Sequence, residues 1–309
     1  MSKTKVCVVG AGICGLSAAA ALQNKSYSVK VLEKSKGLGG RMATRRTLNG
    51  KFDHGAQFYS LKEPIEMHHS RWTSLGLVQH WFNRNQTSCF AAPKGISALA
   101  KEISSTLDIQ LEHRAIEVHR HATSWNIRCE NLTDTQSDIL ILTAPLPQSI
   151  ELLKNSGISY PDELNLITYS KAIVGLFENN LPSHFGPFFS GYTENRQLKP
   201  IFSISNQQSK LVSQIPSWTI TMDAEFSEKF YDESDETVLG EILRAIHEIE
   251  PKFNSTEFQL KRWRYNFPKS TYPHAHLKIQ EGLYLAGDAF GGASILGALR
   301  SASSVVSAL

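Results

Sequence analysis

The chain opens on an unbroken apolar run, Val6-Cys-Val-Val9, which ends in Gly10-Ala-Gly12-Ile-Cys-Gly15 and passes into an alanine-rich stretch over residues 16–24. An apolar run stopped by glycine predicts a strand buried on both faces, and the alanines predict a helix packed close against it, with Asn24 at its end. Ser28-Val-Lys-Val-Leu-Glu33 alternates and predicts a second strand, completing a βαβ unit. Residues 59–90 mix aromatic and polar positions and predict short helices leaving the first domain, whereas residues 93–100 restart a helical pattern. Residues 109–117 and 124–129 predict strands, and the apolar run 138–143 predicts a buried strand halted by Pro145 and Pro147. Beyond about residue 159 the pattern changes to short aromatic and β-branched runs at 172–177, 200–205 and 218–223, which predict an antiparallel sheet.

Residues 235–249 place Val238, Leu239, Ile242, Leu243, Ile246 and Ile249 on one helical face, with Ser234 as N-cap, acids at the positive end and Pro251 as the stop. Residues 261–267 alternate, so Trp263, Tyr265 and Phe267 fall on one side and Arg262, Arg264 and Asn266 on the other. The segment Gly282-Leu-Tyr-Leu-Ala-Gly287-Asp288-Ala-Phe-Gly291-Gly292 then predicts a strand, a glycine turn and a final helix. Together these predict an α/β fold: a discontinuous Rossmann-like domain from residues 1–58, 93–158 and 269–309, and an inserted domain of antiparallel sheet plus helix from residues 59–92 and 159–268.

Composition narrows the function more than the fold. Hydrophobic residues make up 41% and charged residues 20% of the 309, and a net charge of +3 is too mild to argue for nucleic acid or an anionic membrane surface. No apolar run reaches the roughly 18 residues that a membrane span needs. The expected partners are small molecules. Cys7, Cys14, Cys89 and Cys129 are scattered, and no secretory leader precedes the first strand, so reduced thiols in a cytoplasmic protein are expected. The histidine pairs His68-His69, His119-x-His121 and His274-x-His276 lack further ligands at metal spacing and predict no metal site.

The opening glycines carry candidate chemistry. In a G-x-G-x-x-G turn between strand and helix, Gly10 lets the chain turn, Gly12 lets backbone approach a pyrophosphate, and Gly15 lets the helix pack against the sheet. Glu33 ends the second strand about twenty residues on, where a carboxylate accepts hydrogen bonds from an adenosine ribose. Lys34-Ser-Lys-Gly37-Leu-Gly39-Gly40-Arg41 follows, where a plain nicotinamide dehydrogenase would begin another helix. Gly39 and Gly40 allow close backbone approach, and Arg41 supplies a fixed cation for phosphate oxygens.

That run resembles the G-G-R element of the FAD-dependent amine oxidase superfamily, which includes monoamine oxidases, protoporphyrinogen oxidases, phytoene desaturases and renalases. Phe52-Asp-His-Gly-Ala-Gln-Phe58 is similar to the D-x-G-A-Q-[FY] element of its renalase-like branch, and Arg262-Trp-Arg-Tyr265 to that branch's R-W-R-Y strand. The resemblance implies FAD contacts from Gly10, Gly12, Ile13, Cys14 and Gly15, then from Glu33, Lys34, Gly39, Gly40, Arg41 and Met42. It adds Ala56, Gln57 and Phe58, Ile116 beside the adenine, Gly287 with Asp288 at the ribitol, and Ser294 with Ile295 at the last helix. Trp263, Tyr265 and Gln57 would line the reaction site. The turn Gly291-Gly-Ala-Ser-Ile-Leu-Gly297 has no cysteine like that of the covalent monoamine oxidases, which implies noncovalent FAD. It also lacks the basic and acidic residues common there in the branch, and Ser301 is followed by Ala302 rather than glycine.

The implied activity is an FAD-dependent oxidase that takes hydride from a dihydronicotinamide, an NAD(P)H form or isomer, and reduces O2 to hydrogen peroxide. Such a donor becomes an aromatic pyridinium on losing hydride and needs no protein base, which suits a sequence without a recognisable catalytic dyad. Oxidation of an amine by the same fold is the alternative. A noncatalytic FAD-binding module is the reading from another class.

Overall fold

The computed structural model describes residues 3–62, 66–179 and 185–309. A six-stranded sheet is built around Lys5–Val9, which pairs in parallel with Ser28–Leu32 on one side and Ile139–Leu142 on the other. Asp108–Gln110 extends the first side; Leu283–Leu285 and then the antiparallel edge strand Leu277–Gln280 extend the second. Because successive strand residues point to opposite faces, Val6 and Val8 enter one core and Cys7 the other. The first core is covered by the helix Ile13–Asn24 and the final helix Ile295–Ser307, which meet through Leu16, Ala18, Ala19 and Leu22 and through Leu299, Ala302 and Val305. The second is covered by the helix Leu146–Asn155 and by a three-stranded sheet that includes Trp125 and Ile127.

The inserted segment forms a five-stranded antiparallel sheet in the order Tyr192–Thr193, Ile201–Asn206, Ser217–Met222, Ala172–Glu178, Glu257–Trp263. The helix Asp235–Ile249 lies over its apolar face through Val238, Ile242 and Ile246, and Ser234 caps it by accepting from the Thr237 N–H. The four cysteines are free and buried. Among the described residues, no helix is long and apolar enough to cross a membrane.

Three sequence expectations are corrected. Residues 109–117 do not form one strand: Asp108–Gln110 joins the main sheet, Glu112 turns the chain with φ +59°, and Ala115–His121 starts the three-stranded sheet. Among its described residues, the stretch 59–90 holds one helix, Glu66–Ser74, and a small sheet of Tyr59–Ser60, Gln79–Arg84 and Thr87–Ala91. Its hairpin turns at Asn85 and Gln86, both left-handed with φ +47° and +62°, as a two-residue turn between twisted strands requires. Finally, the strand expected over 261–267 ends at Trp263, so Arg264 to Phe267 escape strict alternation.

Candidate functional site

A cavity of about 1250 Å³ runs from the opening glycines to the inserted sheet, between the main sheet's ends and the segment 263–267. Pockets for single small ligands commonly span roughly 300–1,000 Å³, so this one has room for a dinucleotide and a second small molecule.

At its first end Gly10 takes φ +112° and donates to the Leu32 carbonyl at 2.8 Å, turning the chain off its strand. Gly15 lies so close that an added Cβ would sit 2.0 Å from the Gly10 oxygen, whereas a Cβ on Gly12 would meet nothing within 4 Å. Gly12 therefore borders open space, and the helix beginning at Ile13 and Cys14 has no side-chain cap. Gly39 and Gly40 form a second left-handed turn against it, joined by the Gly39 N–H to Ala11 carbonyl bond of 2.9 Å. Two glycine turns facing an uncapped helix N-terminus form a cradle suited to a pyrophosphate. Burial pushes the Cys14 thiol up to about 12, so it packs rather than reacts.

Glu33, buried, is fixed by two N–H donors: Ala11 to Oε2 and Ser35 to Oε1, each at 2.8 Å. Each oxygen keeps a lone pair for a ribose hydroxyl. Lys34 reaches Gln148 at 3.0 Å beside this end, and Ile116 lines it.

At the middle, the chain's two ends meet. Arg41 Nη1 donates to Asp288 Oδ2 at 2.6 Å and to the Asn266 carbonyl at 2.8 Å, and the Tyr169 hydroxyl donates to Asp288 Oδ1 at 3.0 Å. Sequence reasoning gave Arg41 to phosphate oxygens; here one of its nitrogens is committed to Asp288. Burial works against the Arg41 charge, but the bond to Asp288 outweighs it and raises the pKa. Burial, with the Asp288 charge, also pushes the Tyr169 phenol up and keeps it a donor. Tyr169 was missed because it lies in a polar connector with no pattern of its own. Ser301 accepts from the Gly287 N–H at 2.8 Å, and Ser294 caps the last helix through Gly297 N at 3.0 Å. Ser294 and Ile295 line the cavity. The glycines of the altered turn interlock, since a Cβ on Gly291 would fall 1.8 Å from the Gly297 oxygen.

Gln57 requires a correction. Its Oε1 accepts from Lys210 Nζ at 3.2 Å and Gln207 Nε2 at 3.0 Å, and its Nε2 donates to the Asp53 carbonyl at 2.7 Å and the Gly55 carbonyl at 3.0 Å. All four hydrogen-bonding positions of the amide are filled, so it shapes the turn carrying Ala56 and Phe58 and has none left for substrate. Behind it lies an ion pair that sequence reasoning missed: Lys210 Nζ to Asp53 Oδ2 at 2.8 Å, both side chains 0% exposed. Asp53 Oδ1 accepts from Thr44 Oγ1 at 2.7 Å and the Ile96 N–H at 2.8 Å. Met42, also buried, packs in the first core.

The far end is aromatic. Trp263 stacks on His54 at 5.3 Å and 18° and donates its indole N–H to the His54 carbonyl at 2.8 Å. Burial, with Lys261 adding to it, lowers the His54 pKa to about 4 and keeps the ring neutral. Tyr265 meets Tyr169 edge-on at 5.8 Å and lines the cavity; Phe267, on the face predicted for both aromatics, is 47% exposed. Opposite stands a cluster that sequence reasoning also missed: Phe58 against Tyr192 and Phe82, each at 4.9 Å, with Arg84 and Glu194 at its edge. Residues 79–84, Gln-His-Trp-Phe-Asn-Arg, show no alternation from which it could be read.

Comparison with known proteins agrees with this geometry. Residues 8–67 match the NAD(P)-binding Rossmann-like domain, and residues 70–309 match the flavin containing amine oxidoreductase family. The chain is 24% identical to renalase of Mus musculus over 99% of its own length and 98% of that protein. Among solved structures, a protein from Exiguobacterium sp. 255-15 provisionally described as a protoporphyrinogen oxidase superposes with a TM-score of 0.81 at 14% identity, over 100% and 99% of the two chains. Cyclohexylamine oxidase from Brevibacterium oxydans IH-35A superposes at 0.73 with 11% identity, over 99% and 98%. With a family match across most of its length and a cavity lined from both ends of the chain, the chain belongs to the flavin-containing amine oxidoreductases and is a flavin-dependent oxidoreductase.

Proposed function

We propose that this protein holds FAD noncovalently and oxidises a dihydronicotinamide, an NAD(P)H form or isomer, passing the electrons to O2 with formation of hydrogen peroxide. The glycine cradle would take the pyrophosphate, Glu33 the adenosine ribose, and the Arg41–Asp288–Tyr169 group the ribitol region. FAD, when bound, supplies the acceptor for two electrons as hydride and returns them to oxygen. The chain's own part is to bind, align and screen the reacting molecules from water.

The observation that carries the donor class is the state of the acids lining the cavity. Glu33 and Asp288 are held at both oxygens, and His54 is neutral and stacked on Trp263. A donor that aromatises on losing hydride needs only flat apolar walls, which Trp263, Phe58 and Tyr192 supply. Buried free thiols suit a reducing, cytoplasmic setting.

The second reading, oxidation of an amine, has the aromatic walls and the fold shared with cyclohexylamine oxidase in its favour. Anaerobic mixing of the flavin-loaded protein with dihydronicotinamide isomers and, separately, with amines separates the two. Bleaching of the flavin by dihydronicotinamides, followed by peroxide on admission of air, is expected; bleaching by amines alone would reverse the assignment. A noncatalytic module would show no bleaching with any donor.

A further inference from the structure

The part of the cavity lined by Phe58, Arg84 and Tyr192 carries one ion pair, between Arg84 and Glu194. Among the described residues, four acids line the cavity: Glu33, Glu151, Glu194 and Asp288. Each has a partner. Glu33 accepts two backbone N–H groups, Asp288 is shared by Arg41 and Tyr169, and Glu151 lies 4.0 Å from Arg114. Glu194 accepts from Arg84 Nη2 at 3.0 Å through one oxygen and from the Tyr192 hydroxyl at 2.9 Å through the other.

Within that last group the two charges are not equivalent. Tyr192 is locked by Phe82, stacked at 5.3 Å, and by Phe58, edge-on at 4.9 Å, so the carboxylate it holds is fixed in turn. Arg84 comes from the end of the strand Gln79–Arg84 and its side chain is 50% exposed. A guanidinium presents five N–H donors in a planar fork. Glu194 takes one of them, which orients the fork while leaving the others unused beside the aromatic walls. The carboxylate thus acts as a bracket for the cation rather than as a second recognition group.

We propose that Arg84, bracketed by Glu194 and Tyr192, is a specificity residue that receives an anionic group of the hydride donor, so that the protein prefers a donor carrying a phosphate over its uncharged counterpart and over a cationic amine. The proposal rests on the dihydronicotinamide reading for the identity of the donor. Its physical basis is separate: a charge-assisted, two-pronged contact between guanidinium and phosphate, placed where the inserted segments meet the cavity and away from the cradle for the cofactor's own phosphates.

The test compares reduced nicotinamide mononucleotide with reduced nicotinamide riboside, which lacks only the phosphate. The flavin-loaded wild type and the variants Arg84→Gln and Arg84→Lys are reduced anaerobically with each donor. Wild type should prefer the phosphorylated donor in kcat/KM by roughly tenfold or more, the size of a charge-assisted contact. Arg84→Gln should bring the ratio close to one, Arg84→Lys should restore part of it, and ~1 M salt, where the screening length is about 3 Å, should erode it in wild type. A wild type without preference, or an Arg84→Gln variant that keeps it, overturns the proposal. If neither donor bleaches the wild-type flavin, the donor reading fails by itself, and Arg84 is then judged by binding. Oxidised nicotinamide mononucleotide should shift the flavin absorption more tightly than the oxidised riboside, and Arg84→Gln should abolish that difference. Equal binding of both, or a difference that survives in Arg84→Gln, overturns the anion site.

Discussion

Lys210→Met removes the cation from the buried pair that joins the Asp53 turn to the inserted sheet. Lysine and aspartate are both 0% exposed, 2.8 Å apart, and the ammonium also lies 5.3 Å from the centre of the Trp81 ring. Deleting one member of such a pair leaves an uncompensated charge in the interior and costs about 3–5 kcal/mol. The low end applies here, because Asp53 retains donors from Thr44 and Ile96 on its other oxygen. For a chain of 309 residues the loss corresponds to a fall in unfolding temperature of roughly 5 °C. Adding Asp53→Asn removes the stranded charge, so the double variant should be more stable than the sum of the two single losses by about 2 kcal/mol. The assay is a double-mutant cycle by urea or thermal unfolding, with flavin release followed alongside. A Lys210→Met loss under about 1 kcal/mol, or strict additivity, would refute the argument that the pair is a charged clamp.

Other substitutions separate fold from cofactor. Gly12→Ala meets no atom within 4 Å, so apoprotein stability should hold while bound flavin, read as absorbance near about 450 nm, falls. Gly15→Ala meets the Gly10 oxygen and should destabilise the apoprotein itself. Asp288→Asn should strip the flavin by unpairing Arg41, whereas Tyr169→Phe should cost only about 1 kcal/mol, the value of one hydrogen bond; equal flavin loss in both would contradict that ranking. His54 is held near 4 against an ordinary value of 6.5, so the folded state disfavours its protonated form. The stabilisation is complete above pH 6.5 and is lost as pH falls toward 4, amounting to about 3 kcal/mol. Wild type minus His54→Gln stability, measured across that window, should show the slope, and a flat difference would exclude it.

The ends of the chain were legible because their constraints are local. Gly10, Gly15, Gly39 and Gly287 are needed by backbone geometry that a motif displays, and the period of residues 235–249 fixes a helix without reference to its partners. Ser234 was legible for the same reason. The middle was not. Lys210 stands in Asn206-Gln-Gln-Ser-Lys210, as polar as any surface loop, and only its distant partners Asp53 and Gln57 place it inside. Tyr169, Tyr192 and Arg84 likewise acquire their roles from residues far away in sequence. Gln57 borders the cavity, yet its motif could not show that four neighbours already occupy its amide. Residues 59–90 failed for a related reason: a small sheet with a half-buried aromatic face has no clean alternation to read.

The pairing of Arg41 with Asp288 has a consequence for how the protein is made. Arg41 leaves the ribosome long before Asp288, and the strand Leu283–Leu285 and the helix Ile295–Ser307 belong to the same sheet and core as the βαβ unit that begins at Lys5. A nascent chain that has already formed the sheet containing Ala172–Glu178 still lacks the partner of Arg41. With Asp288 in the proposed flavin seat, a chain halted before Gly287 should emerge colourless however much flavin surrounds it, and colour in such a chain would refute that placement.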